Sequence, residues 1–218
     1  MRVVRLAAVL VTLLAVACAG KAKRAELPPE ELYRQAQEAA ERKRFDAAQE
    51  LLDQIADEFP FSRYATEARL LTADIAYQKK EYEEAAAAYR SFEELHPTHP
   101  RASYALYRRG LSYAAVSLPE DRDQTHTRNA ADAFEKLLHA APEGEYAEDA
   151  GRRLADLRAR LAAHELYVAR YYLRRKSYAA ARQRLETLVR DYPDAPQRDE
   201  ALRLALELQG KAEPGRGD

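Results

Sequence analysis

The chain has 218 residues, with 35 Lys and Arg against 36 Asp and Glu for a formal charge of −1. That balance lacks the basic excess with which nucleic-acid binders neutralise phosphates, so no nucleic-acid partner is expected. Its 44 alanines stand against 7 glycines, none of them between Gly20 and Gly110. The mixture excludes all-β and α/β folds and favours helix throughout, because alanine loses no side-chain entropy in a helix.

The N-terminus reads as an address. Arg2 and Arg5 precede the run Leu6 to Ala17, apolar except for Thr12 and too short to cross a bilayer as a permanent helix, so residues 1–17 are expected to be a secretory signal peptide. The only cysteine, Cys18, closes Ala15-Val16-Ala17-Cys18, which resembles the lipobox of bacterial lipoproteins. A covalent lipid on Cys18 would then be the anchor, and no other cofactor is expected. Ala19 stands where an inner-membrane retention signal would place Asp, which points to the outer membrane. Residues 18–29 form the lipidated N-terminus and a short basic tether with Lys21, Lys23 and Arg24, ending in Leu27-Pro28-Pro29.

A repeat begins there. Aligned on Ala48, Ala85, Ala130 and Ala181, the chain carries Leu52, Tyr89, Phe134 and Leu185 four residues on, and Ile55, Phe92, Leu137 and Leu188 seven residues on. Pro60, Pro97, Pro142 and Pro193 follow at twelve. The i, i+4, i+7 stripe is one helix face, and proline ends each helix at the same point. Phe45, Tyr82 and Tyr178 lie three residues before the anchors, with Thr127 as the exception, and Ala36, Ala73 and Ala169 lie twelve before on the preceding helix.

The pattern resembles the tetratricopeptide repeat, with anchor intervals stretched to 37, 45 and 51 residues. Helices are predicted at 30–42, 45–58, 64–79, 81–95, 101–117, 127–140, 145–174, 178–191 and 197–210. The expected fold is an all-α, tetratricopeptide-like α-solenoid of about four and a half helix-turn-helix repeats over residues 30–210. Residues 211–218 are expected to be a disordered tail.

Catalytic constellations are missing from the sequence. No two of the five histidines sit at the i, i+4 spacing that would converge imidazoles on a metal. His96-Pro97-Thr98-His99-Pro100 reads as a rigid inter-repeat turn. Asp121 to Asp132 resembles a calcium loop only in its first acids, with His126 where the sharp turn needs Gly. There is no phosphate-cradling glycine loop and no G-x-S-x-G elbow, so an enzyme is not expected.

Binding is the better prospect. Most of the 14 tyrosines are expected in the core, and a minority could line a groove for an extended peptide. The run Arg170, Arg174, Arg175, Lys176, Arg182, Arg184 and Arg190 is either a solvated face or a docking surface for an acidic partner.

A more specific likeness lies between the repeats. PFSRY at Pro60 to Tyr64, HPTHP at His96 to Pro100, YALYRRGLS at Tyr104 to Ser112, DRDQTH at Asp121 to His126, LAAHELYVARYYL at Leu161 to Leu173 and RDYPD at Arg190 to Asp194 together resemble the BamD family. Its members are the lipoprotein subunit of the outer-membrane β-barrel assembly machinery. The resemblance implies a non-enzymatic scaffold on the periplasmic face of the outer membrane. It implies two partners: a POTRA domain of BamA and the aromatic-ended last strand of unfolded outer-membrane β-barrel proteins.

By position, Arg184, Arg175, Tyr171 and Tyr172 match the family's BamA contact, and Phe59, Phe61 and Tyr64 its substrate region. Accessory lipoproteins of the machinery are a further implied class of partner, though the sequence lacks the full fifth repeat on which their contacts rely. The alternative is a generic tetratricopeptide lipoprotein that scaffolds type IV pilus biogenesis or peptidoglycan enzymes.

Overall fold

A computed structural model describes residues 27–209 and Lys211. The expected signal peptide, Cys18, most of the tether and the tail beyond Lys211 lie outside the described residues. Among the described residues there are nine helices and no strand: α1 (Pro29–Glu41), α2 (Phe45–Glu58), α3 (Arg63–Gln78), α4 (Tyr82–Leu95), α5 (Ala102–Ala115), α6 (Thr125–Ala140), α7 (Ala147–Arg174), α8 (Tyr178–Asp191) and α9 (Arg198–Glu207). Predicted bounds hold to within two residues except for the last helix, which stops three residues early at Glu207.

Each helix packs on its neighbours in sequence, which is how a solenoid propagates. The aligned stripe forms the core: Ala48, Ala85, Ala130 and Ala181 are fully buried, and so are the residues four and seven positions on. Each large apolar side chain taken from water there contributes about 1.5–3 kcal/mol. Ala36, Ala73 and Ala169 are equally inaccessible, because a larger side chain would hold the paired helices apart.

The turns inside the first, second and fourth pairs are built alike. Lys43, Lys80 and Lys176 adopt left-handed φ of 57°, 65° and 58°. In the first, the Lys43 and Arg44 amides donate to the Ala40 and Ala39 carbonyls, which caps the helix C-terminus in a Schellman motif. The same two bonds recur at Lys80 and Lys176.

The third pair departs from this. Buried Thr127 donates through its hydroxyl to Gln124 Oε1 at 2.9 Å, and the Gln124 amide donates to the Pro119 and Arg122 carbonyls at 2.7 and 3.1 Å. The stretch from Pro119 to Gln124 is therefore a side-chain-locked loop, and the last two residues of DRDQTH, Thr125 and His126, open α6. Among the described residues, no group of three or more His, Cys, Asp or Glu is placed to hold a metal.

Helix α7 is continuous over 28 residues. Its first half contributes Ala150, Leu157 and Leu161 to the core beneath α5 and α6, and its second half contributes Ala162, Leu166 and Ala169 to the core beneath α8 and α9.

The tyrosines differ from expectation. Only Tyr89 and Tyr113 are buried, Tyr167 and Tyr171 are exposed, and the other ten are half-buried. A phenol hydroxyl needs a hydrogen-bond partner, which favours half-burial with the polar tip satisfied, as where Tyr104 and Tyr107 donate to Asp74 and Asp149 at 2.6 Å.

Candidate binding surfaces

The first helices of successive pairs, α1, α3 and α5, share one face, and two cavities lie along α3 on it. The first has a volume of about 570 Å³ and is walled by Tyr33, Tyr64, Glu67, His96, His99 and Arg101. Tyr33 and Tyr64 pack with ring centres 5.7 Å apart, and Arg63 covers Tyr64 at 4.7 Å while donating to its hydroxyl at 2.6 Å. Arg101 pairs with Glu67 at 3.3 Å and lies 4.6 Å over the Tyr104 ring.

The second cavity, about 520 Å³, lies nearer the end of α3 and includes Asp74, Tyr77, Tyr104 and Arg108. Asp74 is its hub. One carboxylate oxygen accepts from the Tyr89 hydroxyl at 2.5 Å and from the Tyr104 hydroxyl at 2.6 Å. Arg101 and Arg108 each approach Asp74 at 3.8 Å. Burial and the neighbouring carboxylate push both phenols above the usual tyrosine range, so they stay protonated and donate.

Of the three N-terminal residues singled out in the sequence, one reaches the groove. Tyr64 lines the first cavity, Phe59 packs against the core under α1–α3, and Phe61 is 100% exposed at the tip of the α2–α3 turn. Pro60 ends α2, so these near neighbours point in three directions.

The C-terminal residues divide in a similar way. Tyr171 is exposed on α7 beside half-buried Tyr172, with ring centres 5.4 Å apart and edge to face, and Arg175 lies 5.6 Å over Tyr171. Arg184, on α8, faces Glu165 of α7 at 3.1 Å. The Glu165 side chain is 8% exposed and that of Arg184 41%, so a buried carboxylate holds the arginine against the fold. Arg184 shares no hydrogen bond, ion pair or ring contact with Tyr171, Tyr172 or Arg175 among the described residues. Arg170, from the same basic run, is tied to Glu200 at 2.6 Å.

Between the two surfaces lies a buried ion pair that the sequence reading missed. Arg109, with a side chain 5% exposed, donates to Glu93 at 2.7 Å and approaches Asp132 at 3.5 Å. Burial pushes the Glu93 carboxyl up to about 7 in spite of that partner. Glu93 Oε1 and Arg109 Nε are buried without hydrogen-bond partners among the described residues. Asp74 and Glu165 were missed as well. The available signal was a single acid inside an otherwise apolar helical stretch, as in Thr72-Ala73-Asp74-Ile75-Ala76-Tyr77 and His164-Glu165-Leu166.

Comparison with known proteins bears on the whole chain. The family model YfiO, described as outer membrane lipoprotein, matches residues 25–213. The outer membrane protein assembly factor BamD of Neisseria gonorrhoeae is 35% identical over 192 residues, spanning 84% of this chain and 72% of the relative. That of Vibrio cholerae serotype O1 is 34% identical over 197 residues, spanning 86% and 80%. That of Caulobacter vibrioides is 29% identical over 204 residues, spanning 91% and 67%. With a matching model over nearly its full described length and relatives above 30% identity, the chain belongs to the BamD family of outer membrane lipoproteins.

Proposed function

We propose that the protein is a lipid-anchored scaffold of the β-barrel assembly machinery, held through Cys18 on the periplasmic face of the outer membrane. It binds a POTRA domain of BamA through its C-terminal repeats and receives the last strand of unfolded outer-membrane β-barrel proteins in its N-terminal groove. The observation that carries the reading is the pair of cavities along α3, walled by tyrosines and arginines, on a chain whose relatives are named as assembly factors. Aromatic side chains give rigid contact area for an extended segment with alternating apolar residues, and arginines supply the charged anchors. No bond is made or broken in this role. Exposed Tyr171 and Arg175, with half-buried Tyr172 against them, offer the contact to BamA, and Arg184, held by Glu165, would add a separate point on α8.

The test is purification of the full-length lipoprotein from gently solubilised envelopes, followed by mass spectrometry of what survives a moderate salt wash. A stoichiometric outer-membrane barrel with POTRA domains is expected. Pilus or peptidoglycan proteins in its place would overturn the reading in favour of a general scaffold.

A further inference from the structure

Phe61 is the most exposed large apolar side chain among the described residues: it is fully exposed, and the next, Leu206, is 62% exposed. Partial exposure of single apolar residues is ordinary on a protein surface, and a ring left wholly in water is the case that asks for a partner.

The ring is also held where it stands. Pro60 precedes it, the Ser62 amide donates to the Phe59 carbonyl at 3.0 Å, and the Ser62 hydroxyl accepts from the Ala65 amide at 3.2 Å to cap α3. On one side Phe59 packs against the core, and on the other Tyr64 packs on Tyr33. The backbone around Phe61 is thus fixed from both sides, so little of its freedom is left to be lost when the ring is covered.

Its place in the fold says what covers it. Helix α2 runs back along α1, so the α2–α3 turn returns to the end at which α1 begins, where Tyr33 of α1 and Arg63 and Tyr64 of α3 wall one cavity. Leu27 and Pro28, which lead into α1, are exposed, as is Pro60. The chain reaches this end from Cys18, nine residues before Leu27. An extended segment of that length spans at most about 30 Å, so a lipid on Cys18 keeps the start of α1, and the turn beside it, within that reach of a bilayer. Tyr171 on α7 and Leu206 on α9, also exposed, belong to the other end of the solenoid.

The charges nearby choose the kind of surface. Asp57 and Glu58 close α2 and Arg63 opens α3, all of them exposed, so the turn has no basic excess to draw it to an anionic surface. What it offers is an apolar ring, which suits the boundary between headgroups and acyl chains.

We propose that Phe61 is a second membrane contact: the α2–α3 turn seats its ring at the headgroup–acyl boundary of the bilayer that holds the Cys18 lipid. The inference rests on that anchor and adds what the anchor lacks. A lipid alone sets a distance from the bilayer, whereas a second, rigid point sets the angle as well. The cavity walled by Tyr33, Arg63 and Tyr64 then opens beside the membrane surface.

The experiment exploits the absence of tryptophan from the chain. Phe61→Trp and, as a reference, Leu206→Trp are made in the full-length lipoprotein and reconstituted with vesicles of phosphatidylethanolamine and phosphatidylcholine. Both positions are exposed, so the exchanges leave the fold intact. Flotation with the vesicles reports the anchor, and fluorescence quenching reports the side chain. Phe61→Trp is expected to lose most of its quenching by aqueous iodide and to be quenched by brominated acyl chains, also at high salt, while Leu206→Trp shows the reverse. Equal iodide quenching at the two positions in floated protein overturns the membrane contact, leaves the anchor standing and frees the ring for a protein partner. Protection at both positions, from a solenoid lying flat on the bilayer, overturns it as well. If the lipoprotein does not float, the anchor reading falls and this inference falls with it.

Discussion

Tyrosine and arginine are used in opposite ways at the two ends of this solenoid. Along α3 they turn inward around a shared acid: Asp74 collects two hydroxyls and two guanidiniums, and each arginine also rests on a ring. At the end of α7 the pair Tyr171 and Arg175 stands out from the surface, while buried Glu165 holds Arg184 and Glu200 holds Arg170. The first arrangement is preformed, its ordering cost met when the protein folds. The second leaves Tyr171 and Arg175 free of any acid among the described residues, so a partner that covered them would still have to order them. Composition cannot separate the two. The position of the carboxylate relative to the rings does.

The largest effect is expected where the two ends meet. Arg109→Leu strands the Glu93 carboxyl, whose side chain is 13% exposed, and should destabilise the fold by about 3–5 kcal/mol in chemical denaturation. Adding Glu93→Leu should recover most of that loss. Glu93 also gives the joint a pH dependence of stated sign. Its folded value, pushed up to about 7, lies above its unfolded one, so the folded state holds the proton more tightly. Stability from this group is full below about pH 4.5 and declines as pH rises through 7. Melting curves of Glu93→Gln should lack that part of the decline; an identical pH profile would show that the carboxyl stays ionised in the fold.

At the C-terminal surface, Arg184→Glu sets a second carboxylate against Glu165. With Arg184 41% exposed and partly screened, the cost should be about 1–2 kcal/mol. Such a variant loses a partner for two reasons at once. In Glu165→Gln/Arg184→Glu the stability should return, and whatever loss of BamA retention remains belongs to the interface. Full retention in that double variant would remove Arg184 from the contact. The smallest effect compares the ends directly: Lys43→Gly and Lys176→Gly relieve the same left-handed strain in the same motif, and each should stabilise by about 0.5 kcal/mol. Unequal shifts in melting temperature would show that the turns are not equivalent.

The helical framework was legible because it is repeated. A buried alanine, large residues four and seven positions on and a proline at twelve recur four times, and a period of that kind survives changes in every intervening residue. What side chains do at the surface was less legible. Arg108 and Arg109 are adjacent in sequence, yet the helix turns about 100° between them, so one lines a groove and the other is buried against Glu93. Arg184 lies 19 residues from the carboxylate that holds it, a pairing set by how α7 and α8 lie against each other. Phe59, Phe61 and Tyr64 are close in sequence, and the turn led by Pro60 sets them in different surroundings, which sequence spacing does not reveal.

One feature of the backbone bears on how the two ends communicate. Because α7 runs unbroken from the core under α6 to the core under α8, it is a stiff rod about 42 Å long. It works as a mechanical amplifier: a tilt of about 5° where its first turns seat against α6 swings its far end by roughly 4 Å. Tyr171, in the last turn of α7, and Arg175, just past its end, therefore sit where any such tilt is largest. The two ends of the solenoid are thus tied by one rigid lever rather than by a chain of separate joints.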